Sequence, residues 1–487
     1  MKSSAAVKKT KIVCTIGPAT DDDNIMRGML TAGMDLARLN FSHGTYEDHD
    51  RRIGQVKRIR NEMGLPTAIM LDTKGPEIRV KTFKKDAAEL KAGQLFILTT
   101  DDVEGDDTKV SVTYEGLLSI VKPGSIIMVD DGNAELRVES IKGSDIVCKV
   151  LNDVLLKNNK SINLPGLELT MPYLSEIDMQ DIKFGISHEV DFIAASFTRT
   201  ANDVIDLRRF LDQNGGGRIK IISKIENRQG VDNIDAILRE TDGIMIARGD
   251  MGVEIPFEEL PRIQKKLIHK SFTSARMVIT ATQMLESMIE NPRPTRAEIT
   301  DIANAVYDGT SAVMLSGETA AGEYPVESVA TMSRIVRSTE ADIDYGRHFN
   351  LRRSAIEKNI TNAISHATCT TAYDLQVSAI ITATKEGNTA RMISKFRPTN
   401  PIIGCTPDEI TLRQLNLAWG VIPVLARENK INSDDLFAEA IECSISTGIV
   451  KKGDLVVLTA GVPTGVSGAT NILKVVIVGE SFSQKSQ

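Results

Sequence analysis

Eight short apolar runs recur along this chain, and their spacing constrains the fold more than any other feature. They occupy residues 11–17, 35–40, 67–73, 191–197, 219–226, 243–250, 276–284 and 311–318. Most are followed by an amphipathic stretch of helical periodicity, at 24–32, 46–63, 176–188, 201–213, 231–239, 257–274, 295–308 and 325–340. Short apolar runs bounded by turn residues read as strands, and apolar positions recurring every three to four residues read as helices. Eight strand–helix units in ~250 residues fit a closed (β/α)8 TIM barrel. On the count alone, a doubly wound open sheet competes with it.

The alternation breaks twice. Residues 77–171 contain short, partly alternating runs at 94–98, 109–114, 125–129, 135–140 and 145–150, punctuated by Gly93, Pro123-Gly124, Asp131-Gly132 and Gly143. Such a pattern predicts a small all-β domain, a β-barrel lid inserted after the third barrel strand at the catalytic end. From Gly346 onward a helix at 357–375 precedes strand candidates at 378–384, 401–406, 421–425, 454–460 and 473–479, the pattern of an open α/β sheet. The expected organisation is therefore a barrel from 1–76 and 172–345, a lid from 77–171 and an α/β domain from 346–487, for which effector binding is an expectation only of the family resemblance given below.

Composition narrows the partners. The 487 residues carry 58 Lys and Arg against 65 Asp and Glu, a formal charge of −7, which argues against general nucleic-acid binding. No apolar run reaches the ~18 residues of a membrane span, and the Lys-bearing N-terminus lacks the apolar segment of a secretory signal. Cys14, Cys148, Cys369, Cys405 and Cys443 are scattered and form no C-x-x-C pair, so a reducing, cytoplasmic setting is expected.

In a barrel of this kind, function sits where the strands end. The candidate strand ends carry Arg38 to His43, Asp72 to Pro76, Lys224-Ile225-Glu226, Arg248-Gly249-Asp250, Thr280 to Gln283 and Ser316-Gly317-Glu318. Lys224 and Glu226 lie two apart and share one strand face. Taken alone they could form a buried ion pair. With Asp250 on the neighbouring strand they make an oxygen-rich site suited to Mg²⁺ or Mn²⁺, beside a lysine able to neutralise developing charge. Asn40, Ser42, Asp72 and Thr73 offer oxygens with one formal charge, enough for a monovalent cation or simply for capping loops. Arg38 and Arg79 are candidates for gripping phosphate. No phosphate-loop motif occurs: Gly317 and Gly322 have the spacing, but Glu323 replaces its lysine. The Arg248-Gly249-Asp250 tripeptide resembles an adhesion motif by coincidence. His43 is a lone rim histidine, open to a structural or a functional reading.

The segments Lys11-Ile12-Val13-Cys14-Thr15-Ile16-Gly17-Pro18, Arg38-Leu39-Asn40-Phe41-Ser42-His43-Gly44, Leu71 to Arg79, Ile221-Ile222-Ser223-Lys224-Ile225-Glu226-Asn227 and Met284-Leu285-Glu286-Ser287-Met288 together resemble the pyruvate kinases. The resemblance runs from Lys9 to Gly479. It implies transfer of a phosphoryl group from phosphoenolpyruvate to ADP, giving ATP and pyruvate, by a homotetramer dependent on Mg²⁺ (or Mn²⁺) and K⁺.

On the same resemblance, Lys224 stabilises the transferring phosphoryl group and the enolate, Arg38 contacts phosphate, and Thr282 lies on the route that protonates the enolate carbon. Glu226 and Asp250 hold the divalent metal, and the Gly249 amide meets the substrate carboxylate. Asn40, Ser42, Asp72 and Thr73 match potassium ligands, while Arg79 and Lys160, with Asn40 and His43, fall at nucleotide contacts. Relatives with Glu at the position of Glu77 generally need K⁺. A phosphorylated allosteric effector is expected on Thr384, Lys385, Gly387, Asn388 and Thr389, closed over by the loop 461–468.

Two other readings remain at this point. A metal-dependent lyase of pyruvate or oxaloacetate would use the same Glu–Asp pair but need neither the lid nor Arg79. A non-catalytic sugar-phosphate sensor would keep the last domain, but the intact Lys224, Glu226, Asp250 and Thr282 speak against it.

Overall fold

A computed structural model describes residues 8–351, 358–427, 433–462 and 470–480. Eight strands close into a parallel barrel: β1 Lys11–Thr15, β2 Leu36–Asn40, β3 Ala68–Asp72, β4 Phe192–Ala195, β5 Lys220–Ile225, β6 Gly243–Ala247, β7 Met277–Ala281 and β8 Ala312–Leu315. Each pairs with its sequence neighbours, and β1 pairs with β8 to complete the ring. The open-sheet alternative is thereby excluded. Side chains alternate as the pleat demands. Ile12 and Cys14 of β1 face the helical layer, whereas Val13 joins Leu36, Met70, Ile222, Met245 and Met314 inside the barrel.

The helices begin where the sequence supplies caps. Thr45 and Asp48 form a reciprocal capping box ahead of Tyr46–Met63, and Ser175 with Asp178 does the same for Glu176–Ser187. Gly64, at φ 65°, ends the former in the left-handed conformation that glycine adopts without strain. Several expected elements differ; the run 311–318, for one, ends as a strand at Leu315 and a short helix follows at Gly317–Ala320. The run 243–250 stops being a strand at Ala247, and Arg248–Glu254 is a short helix. The stretch 231–239 spans two helices, Arg228–Asp232 and Ile234–Glu240, broken at Asn233.

The insertion between β3 and Glu176–Ser187 forms a seven-stranded mixed sheet, with a separate ribbon of Ala87–Leu90 and Val154–Lys157. Its strands make an open sheet where a closed β-barrel was expected, and it carries one short helix, Leu117–Ile120. The lid has its own core around Phe96, Leu98, Ile127, Leu136 and Ile146. It meets the barrel rim where the Leu164 N–H donates to Glu254 Oε1 at 3.2 Å.

The last domain is a five-stranded sheet of β9 Ala379–Ala383, β10 Ile402–Thr406, β11 Val421–Leu425, β12 Leu455–Gly461 and β13 Thr470–Ile477. The order is β11-β10-β9-β12-β13, with only β13 antiparallel. This domain is pinned to the base of the barrel, opposite the lid. Arg413 Nε lies 2.7 Å from Asp191 Oδ1, and Lys11 Nζ donates to the Val421 carbonyl at 2.7 Å. Among the described residues no helix is long and apolar enough to cross a membrane.

Candidate active site

The rim residues converge as the strand ends predict. Asp72, at the end of β3, is fully buried and lies against three polar side chains. Arg38 Nε reaches its Oδ2 at 2.6 Å, while Lys224 Nζ and the Ser196 hydroxyl reach Oδ1, both at 3.1 Å. Arg38 also donates to Thr15 Oγ1 at 2.9 Å, which fixes the guanidinium over the barrel mouth. Burial works against the Asp72 carboxylate, but Arg38 and Lys224 hold its pKa below the ordinary value.

Lys224 sits among acceptors on three strands. Its Nζ donates to Ser196 Oγ at 2.7 Å and lies 2.9 Å from Glu226 Oε1. Burial opposes the ammonium, yet Asp72 and Glu226 outweigh it and raise the pKa well above that of a free lysine. Lys224 is therefore a fixed cation at neutral pH.

Glu226 is fully buried, and its Oε2 accepts the Phe197 N–H at 2.5 Å. Its Oε1 makes no hydrogen bond of good geometry, the Lys224 contact included. Burial, partly offset by Lys224 and reinforced by the Asp250 charge, pushes Glu226 up to about 7. A buried carboxylate oxygen without a donor, beside a second carboxylate that repels it, is the environment a hard cation relieves. No group of three His, Cys, Asp or Glu side chains able to hold a metal occurs among the described residues. Two carboxylates suit Mg²⁺, which keeps several waters or substrate oxygens of its own.

On the other side of the mouth, the chain beyond β7 turns through Thr282 and Gln283, at φ 68° and 55°. Two consecutive non-glycine residues in the left-handed region carry strain that tertiary contacts must hold. Arg248 supplies them: Nε donates to the Ala281 carbonyl at 3.1 Å, Nη2 to the Thr282 carbonyl at 2.5 Å, and Nη1 to Asp301 Oδ1 at 2.7 Å. The Thr282 hydroxyl donates to the Ala281 carbonyl at 2.6 Å and accepts the Gly249 N–H at 2.8 Å. That amide is free of intrahelical partners because the helix starts at Arg248, which is also why β6 ends earlier than expected. Asp250 follows in the same turn.

The proposed monovalent ligands lie together but unevenly placed. Asp72 and Thr73 are buried, Asn40 is half-buried and Ser42 exposed. Asn40 Oδ1 accepts the Ser42 N–H at 3.2 Å, and the Thr73 carbonyl accepts Ser196 Oγ at 2.6 Å. His43 is exposed, its carbonyl bonded to His49 Nε2 at 2.9 Å.

The nucleotide candidates of the lid sit on one edge, where Arg79 pairs with Ser161. Both basic side chains are engaged: Arg79 Nη2 with Glu77 at 2.6 Å and Lys160 with Asp130 at 2.6 Å. In the last domain, Thr384 N donates to the Cys405 carbonyl at 3.0 Å and the Lys385 carbonyl accepts Thr406 Oγ1 at 3.2 Å. Gly387, at φ 80°, caps the helix Asn388–Lys395, and Thr389 Oγ1 lies 3.0 Å from Thr470 Oγ1. Of the covering loop, residues 463–468 lie outside the described residues.

Ser196, just past β4, escaped the sequence; it ties Lys224 to Asp72 and Thr73. Arg248 stood among the candidate strand ends, but its bracing of Thr282 did not show there. Ser196 stands in Ala195-Ser196-Phe197-Thr198, a strand end that no motif flagged.

A parallel barrel with a lysine–carboxylate cluster at its C-terminal rim and an inserted lid has the parts a phosphotransferase needs, fixed cations beside a carboxylate pair. Residues 7–329 match the family model described as "Pyruvate kinase, barrel domain" and 362–476 the one described as "Pyruvate kinase, alpha/beta domain". The chain is 48% identical over 474 residues to a pyruvate kinase of Clostridium acetobutylicum, covering 97% of this chain and 100% of that one. It is 49% identical over 481 residues to one from Staphylococcus haemolyticus, covering 98% and 82%. A solved pyruvate kinase from Cryptosporidium parvum superposes with a TM-score of 0.93 at 40% identity, covering 98% and 97% of the two chains. The chain belongs to the pyruvate kinase family. Likeness on this scale sets the lyase reading aside.

Proposed function

We propose that this chain moves the phosphoryl group of phosphoenolpyruvate to ADP, giving ATP and pyruvate, with Mg²⁺ (or Mn²⁺) and K⁺ as cofactors. The observation that carries the reading is the Lys224 ammonium held between Asp72, Ser196 and Glu226 at the barrel mouth. As the bond from phosphorus to the enolate oxygen breaks and that to the ADP oxygen forms, negative charge spreads over the phosphoryl oxygens and the enolate. Lys224 and Arg38 are fixed cations facing that charge, and their positions cost no reorganisation. Glu226 and Asp250 would hold the divalent cation, which supplies charge neutralisation on substrate oxygens when bound. The Gly249 amide and Thr282 share one corner; Thr282 lies on the proton's route to the enolate carbon, giving pyruvate.

Asn40, Ser42, Asp72 and Thr73 are the proposed K⁺ ligands, and Arg79 and Lys160, with Asn40 and His43, the nucleotide contacts. The enzyme is proposed to be a cytoplasmic homotetramer, activated by a phosphorylated metabolite at Thr384, Lys385, Gly387, Asn388 and Thr389. A coupled assay that reports pyruvate from phosphoenolpyruvate and ADP tests the reaction. Lys224→Met and Asp250→Asn should each lower turnover by ~10²-fold or more while leaving the fold intact. Either variant keeping more than roughly a tenth of the turnover at saturating metal overturns the roles assigned.

A further inference from the structure

Where the last domain meets the base of the barrel, a cleft of about 1150 Å³ opens between Ile234–Glu240, the turn before β7 and the helix Asn388–Lys395. Arg239 and Arg276 face it from the barrel, and Arg391 and Lys395 from the last domain. Asp235, the carboxylate on its wall, is engaged by Lys270.

Among the described residues the guanidiniums here make no salt bridge, although Asp242 and Glu386 lie near Arg391. Arg276 donates to backbone carbonyls, Nε to Leu238 at 2.9 Å and Nη2 to Arg239 at 3.0 Å. Arg391 Nη2 donates to the Glu386 carbonyl at 3.0 Å and to Asn388 Oδ1 at 2.5 Å. Neither pairs with a carboxylate among the described residues, and the exposed Arg239 side chain makes no hydrogen bond among them. Lys395 Nζ donates to Asn362 Oδ1 at 3.1 Å. Asp242, the nearest acidic group of the barrel base, is committed to Arg208 at 2.7 Å and Lys220 at 3.1 Å. Burial lowers the pKa of Arg391, eased by Asp242 and Glu386 and aggravated by Arg276. Like charges gathered in a concave, partly desolvated site destabilise the protein until an anion enters.

We propose that this cleft binds a phosphorylated small metabolite carrying two or more negative charges, bridging the barrel and the last domain. The site goes beyond the effector loop at Thr384 to Thr389, because half of its cations belong to the barrel. Guanidiniums suit the role, since each offers a planar fork to a phosphate. A ligand gripped from both sides would couple motion of the last domain to the barrel.

Pyrophosphate, titrated calorimetrically into the full-length protein in metal-free buffer, is the probe. Arg239→Ala combined with Arg276→Gln should weaken a wild-type Kd below about 1 mM by at least tenfold. Thr384→Ala with Thr389→Ala, and separately Lys224→Met, should leave it within about twofold. Because Arg239 is exposed, Arg239→Glu alone serves if the double variant does not fold, with an expected loss of at least about threefold. Wild-type binding weaker than about 10 mM, unchanged binding in the cleft variants, or a loss confined to the loop or Lys224 variants each overturns the proposal. Calorimetry does not depend on turnover, so failure here is distinct from failure of the reaction proposed above.

Discussion

Ser196 Oγ accepts a hydrogen bond from Lys224 Nζ at 2.7 Å while lying 3.1 Å from the same Asp72 oxygen that pairs with the lysine. The hydroxyl also donates to the Thr73 carbonyl at 2.6 Å, so it joins the fixed cation to the strand end carrying the proposed K⁺ ligands. Ser196 is placed to orient Lys224, and the expectation is a positioning role.

Ser196→Ala removes that tie and leaves a buried lysine and a carbonyl each short of one partner. Buried groups deprived of a partner cost about 1–3 kcal/mol, so a loss of stability of that size is expected in urea titrations. The informative readout is kinetic. Turnover should fall about tenfold, equivalent to ~1.4 kcal/mol of transition-state stabilisation, with the KM for ADP unchanged. An equal fall in stability with turnover intact would reduce Ser196 to a structural role.

Why was Ser196 invisible in the sequence when Lys224, Glu226 and Asp250 were legible? Charged residues at the end of an apolar run have no use in a core, so they announce themselves. A serine among alanines does not; its role exists only because β3, β4 and β5 stand side by side. The barrel was legible for a similar reason: period-two and period-3.6 patterns are local, and eight of them leave few topologies. The lid was less so. Ile78–Arg79 and Ser161–Asn163 are too short to show alternation; the first is a strand only because the second lies against it, and the second sits between the first and Ile126–Val129. Likewise Arg248 to Asp250 continue the apolar run of β6 on paper, but the Thr282 hydroxyl takes the Gly249 amide and starts a helix there instead.

Glu226 gives a pH dependence with a definite sign. Its folded-state pKa, raised to about 7, lies above the unfolded value near 4.3, so the folded chain binds the extra proton. Its contribution to stability is full below the unfolded value and is lost as pH rises through about 7. A divalent cation competes with that proton. Mn²⁺ affinity, followed by electron paramagnetic resonance of the free ion, should therefore fall several-fold, up to about tenfold, between pH 8 and pH 6. In Glu226→Gln the binding should be weak and nearly flat with pH. A wild-type affinity that does not change over this range would remove Glu226 from the proposed metal site.

Glu77 bears on the monovalent cation. It is half-buried and accepts Arg79 Nε at 3.0 Å and Nη2 at 2.6 Å, while burial raises its pKa against the pull of Arg79. The expected behaviour is activation by K⁺, with Na⁺ and Li⁺ less effective. Glu77→Lys places a cation near the rim and releases Arg79, so the K⁺ requirement should weaken. Turnover in K⁺-free tetramethylammonium buffer measures both; wild-type activity equal to that in K⁺ would refute the assignment.

At the loop proposed to bind an effector, Thr384 to Thr389, the charges present should decide which phosphates activate. The helix Asn388–Lys395 follows Gly387, whose left-handed φ of 80° turns the chain so that the first amides of the helix face the loop. Thr384 and Thr389 supply hydroxyls, and Lys385 the positive charge of the loop. Glu386 opposes them: a carboxylate ~5 Å from a phosphate costs roughly 1–3 kcal/mol at effective dielectrics of 20–80. The segment 461–470 contains no Lys or Arg to compensate a second phosphate. The penalty therefore weighs more on a bisphosphate than on a monophosphate. A sugar monophosphate or AMP should accordingly lower the phosphoenolpyruvate concentration needed for half-saturation at a smaller dose than fructose 1,6-bisphosphate does. Glu386→Ser should narrow the difference. Thr384→Ala with Thr389→Ala should abolish the response and leave unactivated turnover intact. Saturation curves recorded with each compound decide the matter, and a bisphosphate acting at about a tenfold lower concentration than every monophosphate would reverse the preference argued here.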